Sequence, residues 1–258
     1  MKAGLNLYSI RKLIATEKDF IETAKKLKVM GYDYMQFSGA PYNHEMIKRV
    51  VDESGMPVVL THVGFDRIVN DTEKLVEEHL SFGCKNIGLG TMPRENLKDE
   101  NEWMKRIDEL NVAAEKISKL GAKFFYHNHQ FEFFRFSNGK TAFDYMIEDA
   151  PNFNFILDSY WVQVGGKDPV TFVDRIKGRI ECAHLKDYRM DRKINQDGTI
   201  EFSSHYAPVG SGNLDFKAIV KAWKEAGAKY FLVEQDDACS YDDPLGQVKQ
   251  SIDYIKTL

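Results

Sequence analysis

Short apolar runs alternate along the chain with longer stretches in which apolar and polar residues recur at helical spacing, and a glycine often separates the two. Gly31 follows a helical pattern and precedes YDYMQF, and Gly121 precedes KFFYHNH in the same way. A glycine at this place is typical of a helix that ends on a residue in the left-handed conformation. The recurring unit predicts that helices and strands alternate.

This unit predicts eight strands, each followed by a helix. The strand segments are GLNLYS, YDYMQF, PVVLTHVG, NIGLGTM, KFFYHNH, FNFILDSYW, RIECAHLKD and YFLVEQDD, and the helices fall near residues 17–30, 44–54, 71–82, 100–120, 140–149, 168–177, 215–226 and 243–257. Strict alternation indicates parallel strands joined by crossover helices. Eight such units in about 250 residues are the usual size of a closed (β/α)8 barrel.

No linker rich in proline, serine or glycine divides the chain, so we predict one (β/α)8 TIM barrel over residues 1–258. An open, doubly wound sheet is the alternative. It is weaker because the first strand–helix turn, LYSIRKLIATEKD, lacks the glycine fingerprint of a dinucleotide site.

The fifth predicted strand concentrates groups that bind metals or transfer protons. His127 and His129 alternate, and residues two apart on a strand point to the same face. Glu132 follows just beyond the strand, from where its carboxylate can reach the same space. One histidine alone would be interpreted as a buried, hydrogen-bonded core residue. Two on one face with a nearby acid indicate a site if the neighbouring strands end in the same way.

The next three strands do end in polar residues. Asp158 follows FNFIL, while His184 shares a face with Lys186 and Glu234 shares a face with Asp236. Burying an ionised carboxylate among apolar neighbours is prohibitive unless a cation or hydrogen-bond donors compensate. Barrels carry their active sites at the carboxyl ends of the strands. Carboxylates combined with an imidazole therefore predict one divalent cation, with Mn²⁺ favoured and Mg²⁺, Zn²⁺ or Co²⁺ as alternatives.

Further candidates lie near the same end of the predicted barrel. His62 ends the third strand and Trp161 follows Asp158, so either side chain could contact a substrate or simply pack. The polar stretch at residues 188–213 is longer than an ordinary connection, and such loops tend to be functional. We predict that it forms a lid over the barrel mouth.

Composition narrows the classes of partner. The net charge of −4 gives no reason to expect nucleic-acid binding. Three cysteines without CxxC spacing argue against disulfides or structural zinc and fit a reducing cytoplasm. The N-terminus has no signal-like apolar segment, and no apolar run could span a bilayer. We expect a cytoplasmic protein without nucleic-acid or membrane partners, and allow for a homo-oligomer.

Several motifs together resemble a known family. LNLYSIR, YHNHQFEF, LDSYWVQVGGKDP, HLKD, PVGSGNLDF and LVEQDD are similar to segments of the sugar phosphate isomerase/epimerase family. This family of xylose isomerase-like barrels also includes inosose dehydratases and type IV endonucleases. The resemblance implies a divalent metal held by Glu, Asp, His and Glu from the last four strands. Asp158, His184 and Glu234 match three of these positions.

The first ligand position departs from the family pattern. Many members carry an in-strand glutamate, often within ENH, whereas this chain has His127 within HNH. The chain resembles a branch with an HNHxxEF signature, which implies Glu132 as the ligand and His129 as a catalytic base. The alternative is that His127 binds the metal in the place of the missing glutamate.

The resemblance implies a metal-dependent isomerase or epimerase acting on a small keto sugar or keto-polyol. His129 or Glu234 would remove the proton beside the carbonyl, and Lys186 would hold the substrate or stabilise the developing oxyanion. His62, His127, Trp161 and Lys186 would bind the substrate. Expulsion of a β-substituent would instead give a dehydratase or a 3-keto-glycoside lyase. A non-catalytic sugar-binding barrel is a less favoured alternative, as is an abasic-site endonuclease, which needs more metal ligands and a basic groove.

Overall fold

The computed structural model describes residues 1–258 and contains a closed barrel of eight parallel strands. The strands of the barrel are β1 (Gly4–Asn6), β2 (Tyr34–Phe37), β3 (Val58–Val63), β4 (Asn86–Leu89), β5 (Lys123–His127), β6 (Asn154–Asp158), β7 (Ile180–Leu185) and β10 (Tyr230–Val233). Each strand pairs with the next in this order, and β10 pairs with β1 to close the ring. The predicted (β/α)8 barrel is confirmed.

Helices surround the barrel. They are α1 (Glu17–Met30), α2 (His44–Ser54), α3 (Phe65–Asn70), α4 (Thr72–Ser81), α5 (Glu100–Lys119), α6 (Ala142–Glu148), α7 (Ser159–Val164), α8 (Pro169–Phe172), α9 (Phe216–Ala226) and α10 (Pro244–Ile255). None of them combines the length and the apolar character that crossing a membrane requires. Short 3-10 helices cover Leu7–Leu13, Arg94–Lys98, Phe131–Phe133, Val173–Ile176 and Ala238–Ser240.

The helix ends follow the local signals in the sequence. The side chain of Thr16 accepts a hydrogen bond from the backbone N–H of Asp19 and caps the start of α1. Gly31 ends the same helix with a φ of 105°, a conformation that a residue with a side chain rarely adopts. Gly227 ends α9 in the same way, with a φ of 118°.

Two helices were missed by the sequence pattern. The prediction extended the sixth strand through Trp161, but β6 ends at Asp158 and α7 begins at Ser159. Tyr160 and Trp161 favour strands by intrinsic propensity. The Asp158 side chain overrides that preference, because it accepts a hydrogen bond from the backbone N–H of Trp161 and caps the helix. The short α3 also falls in a segment that was predicted as a loop.

The polar stretch after β7 is a hairpin rather than an irregular loop. Its strands are β8 (Asp187–Ile194) and β9 (Ile200–Ala207), which pair antiparallel along their whole length. The tip of the hairpin is exposed, while Tyr206 near its root contacts Tyr160 on α7. Closure over a substrate stays a prediction.

The core has two parts, and the smaller one forms an apolar floor for the site. The larger part lies between the strands and the surrounding helices. The smaller part fills the inside of the barrel with one side chain from each of six strands: Tyr34, Leu60, Phe125, Ile156, Cys182 and Leu232. Side chains alternate along a strand, so the residues two positions later also point to the barrel axis, one layer nearer the carboxyl ends.

Candidate metal centre and active site

The layer above the apolar floor is polar. Two residues beyond each member of the floor stand Gln36, His62, His127, Asp158, His184 and Glu234. All except His62 are buried. Buried polar groups at such density need partners or a cation. Strand periodicity therefore places the predicted chemistry at the carboxyl end of the barrel, where active sites of this fold form.

Four of these side chains form one compact group: His127, Asp158, His184 and Glu234. One ligand atom from each lies within 4.8 Å of the other three. Nδ1 of His184 is 2.8 Å from Oε2 of Glu234 and 3.0 Å from Nε2 of His127. Nε2 of His127 is in turn 3.5 Å from Oδ2 of Asp158. We call these four side chains the central group.

Hydrogen bonds fix which nitrogen of each histidine faces the central group. Nδ1 of His127 lies 3.0 Å from the carbonyl oxygen of Gly90, and Nε2 of His184 lies 2.7 Å from Oε1 of Gln36. Both partners are acceptors, so these two nitrogens carry the hydrogens and donate. Metal-binding histidines usually donate their second N–H in this way. Nε2 of His127 and Nδ1 of His184 are thereby left facing the same space.

Each carboxylate uses one oxygen for structure and turns the other to the central group. Oδ1 of Asp158 caps α7, and Oε1 of Glu234 accepts a hydrogen bond of 2.8 Å from the side chain of Asn6. Oε2 of Glu234 is buried, and it faces Nδ1 of His184 at 2.8 Å and the ammonium group of Lys186 at 3.8 Å. A buried carboxylate needs compensating positive charge; a protonated His184 supplies it in the metal-free protein, and a cation bound among the four atoms would supply it in its place. The residues therefore fit a divalent metal.

Protonation of the central group depends on its charges. Burial lowers the pKa of His184, but Glu234 and the hydrogen bond to Asp158 outweigh burial and raise it to about 9. Burial raises the pKa of Asp158, yet Lys186 and the two histidines lower it to about 2. The pKa of Glu234 is also lowered, because Lys186 and His184 outweigh its burial. At neutral pH a metal must therefore displace the proton of His184.

The structure does not bring Glu132 into the central group. One of its oxygens accepts a hydrogen bond of 2.9 Å from the hydroxyl of Tyr126, and the other accepts one of 2.7 Å from the backbone N–H of His129. Burial raises the pKa of Glu132 to about 8. Its physical role is to anchor the turn after β5. In place of the expected Glu132, the geometry puts His127, the alternative, beside the other three residues.

His129 lies next to the central group without belonging to it. Its ring is 4.8 Å from that of His127 and stacks on Phe131 at 5.3 Å, measured between centroids. Burial, and then the proximity of His127, lower the pKa of His129 to about 3, so its imidazole is neutral. Its Nδ1 is buried and has no hydrogen-bond partner. A neutral imidazole at this place can accept a proton.

Lys186 supplies a buried positive charge beside the central group. Its Nζ is 2.8 Å from Oδ2 of Asp236 and 3.8 Å from Oε2 of Glu234. The same nitrogen lies over the rings of Trp161 and Tyr206, at 4.7 and 5.1 Å from their centroids. Burial opposes the charge, but the three nearby carboxylates outweigh it and raise the pKa of Lys186. The ammonium group is therefore charged at any physiological pH.

A cavity of about 300 Å³ opens over these groups. Its lining includes five of the predicted residues: His62, His127, His129, Lys186 and Glu234. Trp161 does not line the cavity and instead packs against Lys186 beside it. A volume of this size suits a small molecule rather than a polymer.

Sequence reasoning missed three residues that hold the site together: Asn6, Gln36 and Tyr206. Asn6 and Gln36 are buried polar residues within apolar strands, and that contrast was a usable signal. Tyr206 had no comparable signal, because its contact with Lys186 depends on the hairpin returning to the barrel mouth.

Residues 24–258 match the model of the xylose isomerase-like TIM barrel family. The chain belongs to this family. An inosose dehydratase of Geobacillus kaustophilus is 29% identical over 170 residues, which are 62% of this chain and 54% of that protein. The chain thus spans about half the length of this curated relative.

Solved structures show the same architecture over the whole chain. A sugar phosphate isomerase/epimerase from Parabacteroides distasonis matches with a TM-score of 0.80 and 23% identity, covering 100% of this chain and 98% of that one. A xylose isomerase-like TIM barrel protein from Mycobacterium smegmatis, in complex with magnesium, matches with a TM-score of 0.70 and 15% identity, covering 98% and 94%. At these identities the likeness shows the fold.

Replacement of Glu132 by glutamine tests its role as an anchor. We expect Mn²⁺ affinity to stay within about threefold of the wild-type value, because Glu132 lies outside the central group. Folding raises the pKa of this carboxyl from its ordinary value of 4.5 to about 8. The free energy of unfolding of the protein therefore falls as the pH rises through this range. Glutamine does not ionise, so this loss disappears in the variant.

Urea unfolding of the metal-free proteins at pH 5.5 and pH 8.5 measures the effect. The free energy of unfolding of the glutamine variant, relative to wild type, should rise between the two values by on the order of 1 kcal/mol or more. A large loss of Mn²⁺ affinity in Glu132→Gln would restore this residue as a ligand and contradict the geometry.

Proposed function

We propose that the protein is a divalent-metal-dependent enzyme that removes the proton beside the carbonyl of a keto sugar or keto-polyol and so isomerises or epimerises it. The convergence of four ligand atoms beneath a cavity at the barrel mouth carries the proposal. A neutral imidazole and a permanent positive charge flank that point. A non-catalytic sugar-binding barrel would need neither of them.

The relatives support the substrate class. The names of the relatives describe an inosose dehydratase and a sugar phosphate isomerase/epimerase, and both name a small carbohydrate or cyclitol as the substrate. The cavity of about 300 Å³ has a size that fits a single sugar or cyclitol ring. We also propose a cytoplasmic location, since all three cysteines are free and buried.

We assign roles by position around the cavity. A bound cation would supply Lewis acidity at the carbonyl oxygen of the substrate. We assign His129 as the proton acceptor, because its Nδ1 has no hydrogen-bond partner and its ring lies beside the central group. Glu234 is the less favoured base, since one of its oxygens is held by Asn6 and the other faces the central group. Lys186 places its charge next to the developing oxyanion.

The set of donors bears on the identity of the metal. His127 replaces a carboxylate, so the central group offers two nitrogens and two oxygens. Imidazole ligands suit borderline cations, whereas Mg²⁺ prefers oxygen alone. We propose Mn²⁺ as the native ion, with Zn²⁺ or Co²⁺ as better substitutes than Mg²⁺.

Dehydration is the second candidate, and it is favoured because His127 stands where many family members have a glutamate. Epimerisation that uses one carboxylate on each face of the substrate needs a second glutamate, which HNH lacks. Elimination needs a group that assists the departing hydroxyl. The ammonium group of Lys186, held by Asp236, lies at the cavity wall and can donate a hydrogen bond to that oxygen.

Proton exchange followed by NMR in D₂O tests the proposal. The Mn²⁺-treated enzyme, cleared of the paramagnetic ion before each spectrum, is incubated with a panel of ketoses, inososes and 3-keto-glycosides. We expect loss of the signal of the proton beside the carbonyl in at least one substrate, and loss of that activity after EDTA treatment.

The products separate the two candidates. Deuterium incorporated into an isomer or epimer of unchanged formula identifies isomerisation or epimerisation. An unsaturated ketone that absorbs in the ultraviolet identifies elimination. Binding of a panel member without exchange of any proton would contradict both and indicate a sugar-binding barrel.

A further inference from the structure

The side-chain amide of Gln36 bridges two histidines that otherwise do not share a hydrogen bond. Gln36 lies on β2 and is fully buried. Its Oε1 is 2.7 Å from Nε2 of His184, and its Nε2 is 2.9 Å from Nε2 of His62. An amide has one acceptor end and one donor end, so the two contacts are not interchangeable.

The acceptor end determines the state of His184. Because Oε1 accepts, Nε2 of His184 carries a hydrogen and Nδ1 is the nitrogen available to a metal. The reversed amide would place its NH₂ against Nε2 and force the hydrogen of a neutral His184 onto Nδ1, between Asp158 and Glu234. That arrangement would block the ligand atom. A metal-competent central group therefore requires the orientation seen.

The donor end determines the state of His62. The NH₂ group of Gln36 donates to Nε2 of His62, so a neutral His62 carries its hydrogen on Nδ1. That nitrogen has no hydrogen-bond partner within the protein, and a Cβ at Gly90 would lie only 2.8 Å from it. Glycine thus keeps open the space in front of Nδ1. Both His62 and Gly90 line the cavity.

We propose that Gln36 is a positioning residue that makes His62 a hydrogen-bond donor to an oxygen of the substrate while it holds the ligand nitrogen of His184 free. The orientation that metal binding requires at His184 dictates the N–H that His62 presents to the cavity. The site is thereby selective for a substrate with an acceptor, a hydroxyl or carbonyl oxygen, opposite His62. The inference rests on the proposed function only for the identity of the substrate.

Replacement of Gln36 by glutamate separates the two ends of the amide. A carboxylate still accepts from His184, so Zn²⁺ affinity should be equal to or higher than that of wild type. The same carboxylate also accepts from His62, which should move the hydrogen of His62 from Nδ1 to Nε2. The donor into the cavity is then lost, and we expect kcat/KM to fall by about 10-fold or more, chiefly through KM.

Long-range ¹H–¹⁵N correlation spectra of the histidine rings give the tautomers directly. They are recorded on ¹⁵N-labelled wild type and Gln36→Glu, both loaded with diamagnetic Zn²⁺, and His62→Asn assigns the ring. Wild type should show His62 protonated on Nδ1, and the glutamate variant should show it protonated on Nε2. An unchanged His62 tautomer in Gln36→Glu would overturn the proposal.

A second variant at the same position tests the contact with His184 even if Gln36→Glu does not fold. Gln36→Met has a similar length but neither donor nor acceptor, and chelator competition should show a loss of Zn²⁺ affinity of about 10- to 100-fold. Wild-type affinity in Gln36→Met would overturn the role at His184. Asp158→Asn checks the central group separately and should lose Zn²⁺ binding. Retention of Zn²⁺ in this variant would count against the proposed function and not against the role of Gln36.

Discussion

Asp158→Asn is expected to lose metal binding and turnover together while the protein stays folded. Asparagine keeps the oxygen that caps α7 through the backbone N–H of Trp161. It loses the charge and turns an NH₂ group towards Nε2 of His127, which is 3.5 Å from Oδ2 in the wild type. We expect Mn²⁺ affinity to fall by about 100-fold or more and kcat by about 10³-fold or more. Elemental analysis gives the metal content, chelator competition gives the Mn²⁺ affinity, and turnover assays give kcat.

Asp168→Asn is the matched control. Asp168 caps α8 through the backbone N–H of Val170, so it has the same structural task as Asp158 but lies at the surface. This variant should retain wild-type metal content and turnover. Full metal content in Asp158→Asn would remove Asp158 from the site. Equal losses in both variants would show that the caps, and not the ligands, are responsible.

Much of the fold follows from local patterns. The eight barrel strands and the alternation of strands with helices were predicted correctly. Glycines such as Gly31 and Gly227 mark the helix ends, because these helices end on a residue in the left-handed conformation. The boundaries after β6 were wrong, because aromatic residues favour strands and the cap by Asp158 is visible only once the backbone turns. At this place the cap formed by Asp158 outweighs the strand propensity of the aromatic residues.

The hairpin after β7 could also have been predicted from the sequence. Ile194 and Ile200 flank NQDGT, and Gly198 adopts a φ of 83° in the turn. A turn sequence between two isoleucines predicts paired strands. The length of the polar stretch directed attention to a loop instead. The root of the hairpin lies beside Lys186 at the mouth of the barrel, while its outer half is exposed.

Three of the four expected metal ligands lie together in the structure, and their common origin is strand periodicity. Asp158, His184 and Glu234 each stand two residues beyond an apolar side chain of the barrel floor. Glu132 was expected from the HNHxxEF resemblance, from the preference of hard cations for oxygen and from its reach, and none of these takes competing partners into account. Its two oxygens are satisfied by Tyr126 and the backbone of His129. Periodicity alone would have selected His127, which is two residues beyond Phe125.

Lys186→Met is expected to keep the metal and lose turnover. Lys186 is not a ligand, but its Nζ lies 3.8 Å from Oε2 of Glu234 and lines the cavity. Removing a positive charge beside a developing oxyanion costs on the order of 10²- to 10³-fold in kcat. Metal content should stay near wild type. A kcat within a few-fold of wild type would show that the charge serves folding only.

Methionine at this position also leaves Asp236 without its partner, and that loss must be separated from the loss of chemistry. The ion pair between the two side chains spans 2.8 Å, and an uncompensated buried carboxylate is strongly destabilising. The double variant Lys186→Met/Asp236→Asn removes both charges and should recover much of the stability lost in the single variant. If Lys186 stabilises the oxyanion, kcat in the double variant stays low despite this recovery. If kcat returns towards wild type together with stability, Lys186 serves the fold only. The reason is that Asp236→Asn removes the unpaired charge but does not replace the positive charge next to the substrate.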